Sequence, residues 1–184
     1  LNDGTVAFLC LRPDVRRHIV PHPLVKELAQ RNPRRFNEPT SVYLVFEERD
    51  EDVGESIEDF LFEQGIEVML PEFQGDEHEI HSLHLKHLTD CDGVVVLYGS
   101  SSKAWVDIKV RELTKALGYR NGRPIEKAAV LVAPPVDRRK ERFRSLSAEV
   151  FQPVGGTLDP AVLSRFCQEL KELSQSSTPG GTGK

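Results

Sequence analysis

One segment of this chain carries an indole, an amine and a carboxylate at spacings that could place them on one helix face. Trp105, then either Ile108 or Lys109, and then Glu112 follow one another at steps of three or four residues, which brings side chains to the same side of an α-helix. A serine-rich loop, residues 99–102, directly precedes the segment. Aromatic and charged groups beside such a loop are typical of small-molecule sites. The alternative interpretation is a tryptophan packed at the sheet edge and a glutamate in solvent.

An acid-rich run at residues 47–52 follows the first predicted strand. Carboxylates in that position can hold Mg²⁺, as in a phosphorylation receiver domain. Such a domain also needs an aspartate at the end of the third strand, where this chain has Tyr98, Gly99 and Ser100. We therefore interpret most of the acidic run as a solvated loop.

Four histidines recur at every third residue of one predicted helix: His78, His81, His84 and His87. His84, His87 and Cys91 could meet on one side, and imidazole and thiolate groups bind zinc. A step of three residues turns a helix by about 300°, however, so the four positions drift around its surface. Because the sequence offers no second group of ligands, the pattern favours a partly exposed polar face, with no metal bound.

The chain ends in PGGTGK, residues 179–184, which is similar to part of a phosphate-binding loop. Thr178 stands where that loop has its first glycine, and no serine, threonine or helix follows. We interpret residues 175–184 as a flexible tail.

Hydrophobic patterning predicts the elements that would position these groups. The apolar run at residues 94–98 lies between turn residues and predicts a fully buried strand. The helix after it has one apolar face, formed by Val106, Val110, Leu113 and Leu117. Gly118 supplies the end of that helix. In open α/β sheets, ligands bind at the carboxyl ends of strands, where the serine-rich loop would lie.

The rest of the chain alternates in the same way. Further strands are predicted at residues 41–46, 66–70, 128–132 and 148–151, and helices at 53–64, 77–89, 137–144 and 159–173. The inward positions are Ile57, Phe60 and Leu61 in the first helix, and Leu163, Phe166, Leu170 and Leu173 in the last. This alternation predicts the α/β class, with a flavodoxin-like, mostly parallel five-stranded sheet covered by helices on both faces.

Composition limits the partners of the chain. Its 184 residues carry a net charge of -5, which argues against nucleic acid as the main partner. No apolar run approaches the ~20 residues of a membrane span, and no signal peptide is visible. The three cysteines are far apart and odd in number, which fits a reducing setting. We expect a cytoplasmic protein that does not associate with a membrane and holds no permanently bound cofactor.

The domain boundaries follow from the same patterns. Residues 1–40 are rich in proline and arginine, and we interpret them as a linker or the tail of a preceding domain, with a basic nucleic-acid arm as the alternative. Residues 41–174 hold the predicted elements. Because the first residue is leucine, we expect the chain to be cut from a longer protein.

From residue 41 to about residue 173, the order of elements resembles a Toll/interleukin-1 receptor (TIR) domain of the bacterial TIR-like type. The resemblance lies in four segments: SVYLVFEERDED (41–52), EDFLFEQGIEVMLPEFQGDE (58–77), DGVVVLYGSSSKAW (92–105) and WVDIKVREL (105–113). It implies assembly by self-association, together with other domains of the parent protein. In some members it also implies cleavage of NAD⁺ at the nicotinamide–ribose bond, often in antiviral defence.

The resemblance also implies a site. Cleaving members carry a glutamate four residues after the tryptophan, and Lys109 stands at that position here. A cation there would not stabilise the positively charged ribose of the transition state. Glu112, one turn further on, would be the substitute catalytic carboxylate. The nucleotide pocket would be lined by Phe46, Arg49, Phe73, Ser101, Trp105 and Lys109, with NAD⁺ as the possible substrate.

The stretch ELTKALG, residues 112–118, is also similar to part of the nucleoside deoxyribosyltransferases, which break a related bond. The expected function is therefore a TIR-like signalling module of a larger bacterial defence protein, which binds or cleaves NAD⁺. The alternative is a deoxyribosyltransferase-like enzyme.

Overall fold

The computed structural model describes residues 38–120, 124–154 and 158–176. The strands are β1 (Ser41–Val45), β2 (Glu67–Met69), β3 (Gly93–Tyr98), β4 (Lys127–Val132) and β5 (Glu149–Phe151). The helices are α1 (Glu51–Glu63), α2 (Glu77–Asp90), α3 (Lys103–Ala116), α4 (Arg138–Glu141) and α5 (Pro160–Ser176). The predictions for residues 1–37 and 177–184 lie outside the described residues.

The five strands form one sheet in the order β2-β1-β3-β4-β5, and every neighbouring pair is parallel. In the register, Val45 lies beside Val96, and Val96 lies beside Val130. This is the flavodoxin-like order, in which helices cover the sheet on both faces. The predicted fold class is confirmed.

Two separate cores lie on the two faces of the sheet, because successive strand residues point to opposite sides. Val42 and Leu44 belong to the core that α1 and α5 cover. Tyr43 and Val45 belong to the core that α2 and α3 cover. Burial on both faces explains why the central strands are apolar along their whole length.

The predicted helix faces are confirmed except at their last positions. In α3, Leu117 is 45% exposed, because the helix ends at Ala116 and Leu117 lies in the turn beyond it. In α5, Leu173 is 41% exposed, whereas Ser174 is buried and its hydroxyl lies 3.0 Å from the hydroxyl of Thr40. Ser174 is four residues after Leu170, which puts it nearer the centre of the buried face than Leu173.

The core of the first helix provides a matched stability test. Leu61 is fully buried in α1, and its neighbour Phe62 is 75% exposed. We expect Leu61→Ala to lower the free energy of unfolding by about 2–5 kcal/mol, because it leaves a cavity beneath α1. The Phe62→Ala control should change it by no more than about 0.5 kcal/mol. Urea unfolding measures both, and equal losses would contradict the described packing of α1.

None of the helices among the described residues is long and apolar enough to cross a membrane.

Candidate functional site

A cavity of about 550 Å³ opens at the carboxyl ends of β1, β2 and β3. Its walls come from residues 46–49 after β1, from residues 71–73 after β2, and from Trp105 and Lys109 in the first half of α3 after β3. One face of α2 completes the wall, with His81, His84 and His87 among its lining residues. The cavity therefore lies where a sheet of this order is expected to bind ligands.

Most of the predicted site residues meet at this cavity. Five of them line it: Phe46, Arg49, Phe73, Trp105 and Lys109. Ser101 and Glu112 lie outside the described lining. Ser101 is 6% exposed, and within the described part of the chain its hydroxyl oxygen has no hydrogen-bond partner.

Aromatic rings form the apolar part of the cavity wall. The centroids of the Phe46 and Phe73 rings are 5.6 Å apart, with the ring planes inclined at 59°. The Lys109 ammonium lies 5.9 Å from the centroid of the Trp105 ring, within cation–π range. Walls of this kind accept a flat heteroaromatic ring by stacking.

Hydrogen bonds join β1, α2 and α3 through one chain of four side chains, of which Tyr43, His84 and Lys109 line the cavity and Glu112 does not. The Tyr43 hydroxyl is 2.8 Å from His84 Nδ1, and His84 Nε2 is 3.1 Å from Glu112 Oε2. Lys109 Nζ donates to the same Glu112 oxygen at 2.9 Å. A carboxylate accepts only, so Nε2 of His84 donates to Glu112; in the neutral imidazole, Nδ1 then accepts from the Tyr43 hydroxyl.

The two donors determine the charge of Glu112. Burial acts to raise the pKa of this carboxyl, but hydrogen bonds from His84 and Lys109 outweigh it and lower the pKa to about 2. Burial raises the pKa of Tyr43, so its hydroxyl keeps its proton. Glu112 is therefore ionised and orients both Lys109 and His84. Unlike Glu112, the Lys109 ammonium belongs to a residue that lines the cavity.

The four histidines of α2 differ in burial along the helix. His78 and His81 are exposed, as predicted for a polar face, but His84 and His87 are half-buried. Their rings pack against Tyr43, with centroid distances of 5.5 Å for His84 and 5.0 Å for His87. Burial lowers the pKa of His87. The described residues contain no group of three or more side chains suited to holding a metal ion.

Sequence reasoning missed Tyr43 and His84 as members of the site. The available signal was the position of Tyr43 in an otherwise apolar buried strand, because a buried tyrosine hydroxyl usually has a hydrogen-bond partner. The histidine spacing alone does not indicate which of the four histidines is the hydrogen-bond partner of the Tyr43 hydroxyl.

Carboxylates outnumber cations around the cavity. Its acidic lining residues are Glu47, Glu48, Glu72 and Glu77. The cations are Arg49 and Lys109, and Arg49 lies 3.2 Å from Glu47 in a surface ion pair. The lining residues therefore form a net negative rim that includes one exposed guanidinium and one half-buried ammonium.

The acidic run after β1 is largely solvated, with one clear exception. Glu48, Glu51 and Asp52 are exposed, as the sequence predicts. Asp50, in contrast, is only 6% exposed, and both of its carboxylate oxygens accept a hydrogen bond from the Ser100 N–H. Asp50 thus joins the loop after β1 to the loop after β3.

The fold defines the chain as a flavodoxin-like α/β protein, and comparisons with known proteins add little to that class. No family model and no curated protein sequence matches the chain. One similar solved structure is the CMP N-glycosidase BcmB of Clostridium botulinum, at 17% identity and a TM-score of 0.39, covering 72% of this chain and 99% of that one. Another is a diflavin flavoprotein A3 from Nostoc sp., at 21% identity and a TM-score of 0.32, covering 74% of this chain and 91% of that one. The likeness concerns the fold alone.

Proposed function

We propose that this domain is a TIR-like signalling module of a larger bacterial protein, and that its cavity binds a nucleotide such as NAD⁺. One observation supports the proposal above the others. Five residues that the resemblance implies for a nucleotide pocket come from three different loops and helices, and they line one cavity. The cavity also lies at the carboxyl ends of the strands, where flavodoxin-like sheets bind nucleotides.

The chemistry of the lining suits the parts of NAD⁺. Phe73 and Trp105 are half-buried and can offer faces for stacking a heteroaromatic ring, whereas Phe46 is only 4% exposed and packs against Phe73. The carboxylates of the rim favour a ligand ring that carries positive charge, as the nicotinamide of NAD⁺ does. Arg49 and Lys109 can reach phosphate oxygens, for which guanidinium and ammonium groups are the usual partners.

The geometry supports binding better than cleavage. Cleavage of the nicotinamide–ribose bond needs a carboxylate facing the ribose, because positive charge develops there. Glu112 lies outside the cavity lining and already accepts from Lys109 and His84. The group at the cavity is Lys109, a cation. Glu112 as a catalytic residue stays a prediction, and in our proposal it holds Lys109 in place.

Self-association and the cytoplasmic location belong to the proposal as well. The resemblance is the support for self-association with copies of the domain and for contact with other domains of the parent protein. The chain has three cysteines, which are far apart in the sequence and odd in number, and this fits a reducing compartment.

Nicotinamide release from NAD⁺ tests this proposal. The purified domain, at high concentration with a crowding agent, is expected to release no more nicotinamide than a blank, and sedimentation velocity should show concentration-dependent assembly. Glu112→Gln and the exposed-carboxylate control Glu141→Gln should behave in the same way. Release that disappears in Glu112→Gln alone would contradict the proposal and identify a hydrolase. Turnover of deoxynucleosides without NAD⁺ loss would favour the deoxyribosyltransferase alternative.

A further inference from the structure

Asp50 is the one buried carboxylate in an acidic run that is otherwise largely exposed. It is 6% exposed, whereas Glu51 and Asp52, which follow it, are exposed. Burying a carboxylate is costly unless hydrogen bonds or a nearby opposite charge replace its water. A buried carboxylate such as Asp50 is therefore expected to make specific contacts that offset this cost.

Two loops approach each other closely at Asp50. Its oxygens lie 2.8 and 2.9 Å from the Ser100 nitrogen, which donates to both. Gly99 makes the approach possible, since a Cβ on this residue would lie 2.4 Å from Asp50 Oδ1. The carboxylate of Asp50 therefore occupies the space that a side chain at residue 99 would need.

A buried cation lies within electrostatic reach of this carboxylate. Lys140 is 7% exposed, and its ammonium donates to the carbonyl oxygens of Ala133 and Pro135 at 2.8 Å each. Burial lowers the pKa of Lys140, and the negative charges of Asp137 and Asp50 oppose that effect. The charge of Asp50 thus compensates part of the cost of burying the Lys140 ammonium.

The contact connects two walls of the cavity. Asp50 is the last residue of the turn Glu48–Asp50, in which Glu48 and Arg49 line the cavity. On the other side, Ser100 lies two residues before Ser102, the N-cap of α3, whose hydroxyl oxygen accepts from the Trp105 N–H at 3.2 Å. The carboxylate therefore fixes the start of the helix that carries Trp105 relative to the turn that carries Arg49.

We propose that Asp50, seated against Gly99, is a positioning residue that sets the distance between the Arg49 and Trp105 walls of the cavity. Its effect on NAD⁺ affinity rests on the proposed function, but its effect on the surroundings of Trp105 does not. The two can therefore be measured separately.

Four variants test the proposal: Asp50→Ala, Asp50→Asn, Gly99→Ala and the exposed control Asp52→Ala. Trp105 is the single tryptophan of the chain, so its emission and its quenching by acrylamide report on this wall without any ligand. We expect Asp50→Ala and Gly99→Ala to increase acrylamide quenching about twofold and to weaken NAD⁺ binding about tenfold, since each breaks the same contact. Asp50→Asn keeps an oxygen that can accept from Ser100, and it should restore most of the wild-type behaviour. Asp52→Ala should match the wild type.

The double variant Asp50→Ala/Gly99→Ala should show little more change than either single variant, because both remove one shared interaction. Folded Asp50→Ala protein with wild-type quenching would overturn the proposal, and so would folded Gly99→Ala protein with wild-type quenching. If Asp50→Ala does not fold, acrylamide quenching and NAD⁺ affinity are compared between Gly99→Ala and Asp50→Asn, and the proposal requires Gly99→Ala to show the larger change in both. If the wild type binds no NAD⁺, the proposed function fails, and acrylamide quenching still decides whether Asp50 positions Trp105.

Discussion

Trp105→Ala is expected to weaken NAD⁺ binding by about 10- to 100-fold, measured by isothermal titration calorimetry. Trp105 lies half-buried at the first turn of α3 and lines the cavity, with Lys109 within cation–π range of its ring. Loss of one aromatic stacking partner costs a bound base about 1–3 kcal/mol, or about 5- to 150-fold in affinity, and the expected range lies within these limits. The loss also frees the Lys109 side chain from one of its neighbours.

The matched control for this variant lies about one turn further along the same helix. Ile108 is 51% exposed and lies outside the cavity lining. Ile108→Ala should change the dissociation constant by less than about twofold. Equal affinities for Trp105→Ala and the wild type would place the ligand away from the aromatic wall.

Glu112→Gln is expected to destabilise the domain by about 2 kcal/mol at about pH 7, with a penalty that shrinks in acid. The folded-state pKa of Glu112 is lowered from 4.5 to about 2, so the unfolded chain binds this proton more tightly than the folded one. The carboxylate therefore contributes stability above the unfolded value, and the contribution is lost as pH falls toward the folded value. The expected loss is smaller than the full shift implies, because the side chain is 32% exposed and water screens its charge.

Urea unfolding of both proteins at about pH 7 and about pH 3 measures this effect. The difference in the free energy of unfolding at the lower pH should be less than half of its value at the higher pH. Glu141→Gln, at an exposed carboxylate on α4, should show no comparable dependence. A penalty for Glu112→Gln that is the same at both pH values would mean lost packing, and the ionised hydrogen-bonded carboxylate would be contradicted.

Much of the fold could be predicted from the sequence, because its signals are local. The apolar strands and the one-sided faces of α1 and α3 are visible in hydrophobic periodicity, and the strand–helix alternation then restricts the sheet to few arrangements. Gly65 ends α1 with a φ of +68°, as its residue type predicts. The error at Leu117 arises because α3 ends at Ala116. The error at Leu173 arises because the helix continues and Ser174 lies nearer the centre of the buried face.

The site could be predicted only in part. Phe46, Phe73 and Trp105 meet because the loops after parallel strands share one edge of the sheet, which topology alone dictates. The partners of Glu112 and Asp50 were not predictable in this way. His84 reaches Glu112 across the contact between α2 and α3, and Ser100 reaches Asp50 across neighbouring loops. Such pairs depend on side-chain packing between elements that are far apart in the chain.

The central claim is that the cavity beside Trp105 binds a nucleotide such as NAD⁺. The single tryptophan of the chain lines that cavity, so its fluorescence during a titration with NAD⁺ is the most direct test. We expect a saturable change in emission with one dissociation constant, weakened by Phe73→Ala and left unchanged by Ile108→Ala. Emission of the folded wild-type domain that stays constant up to millimolar NAD⁺ would contradict the claim.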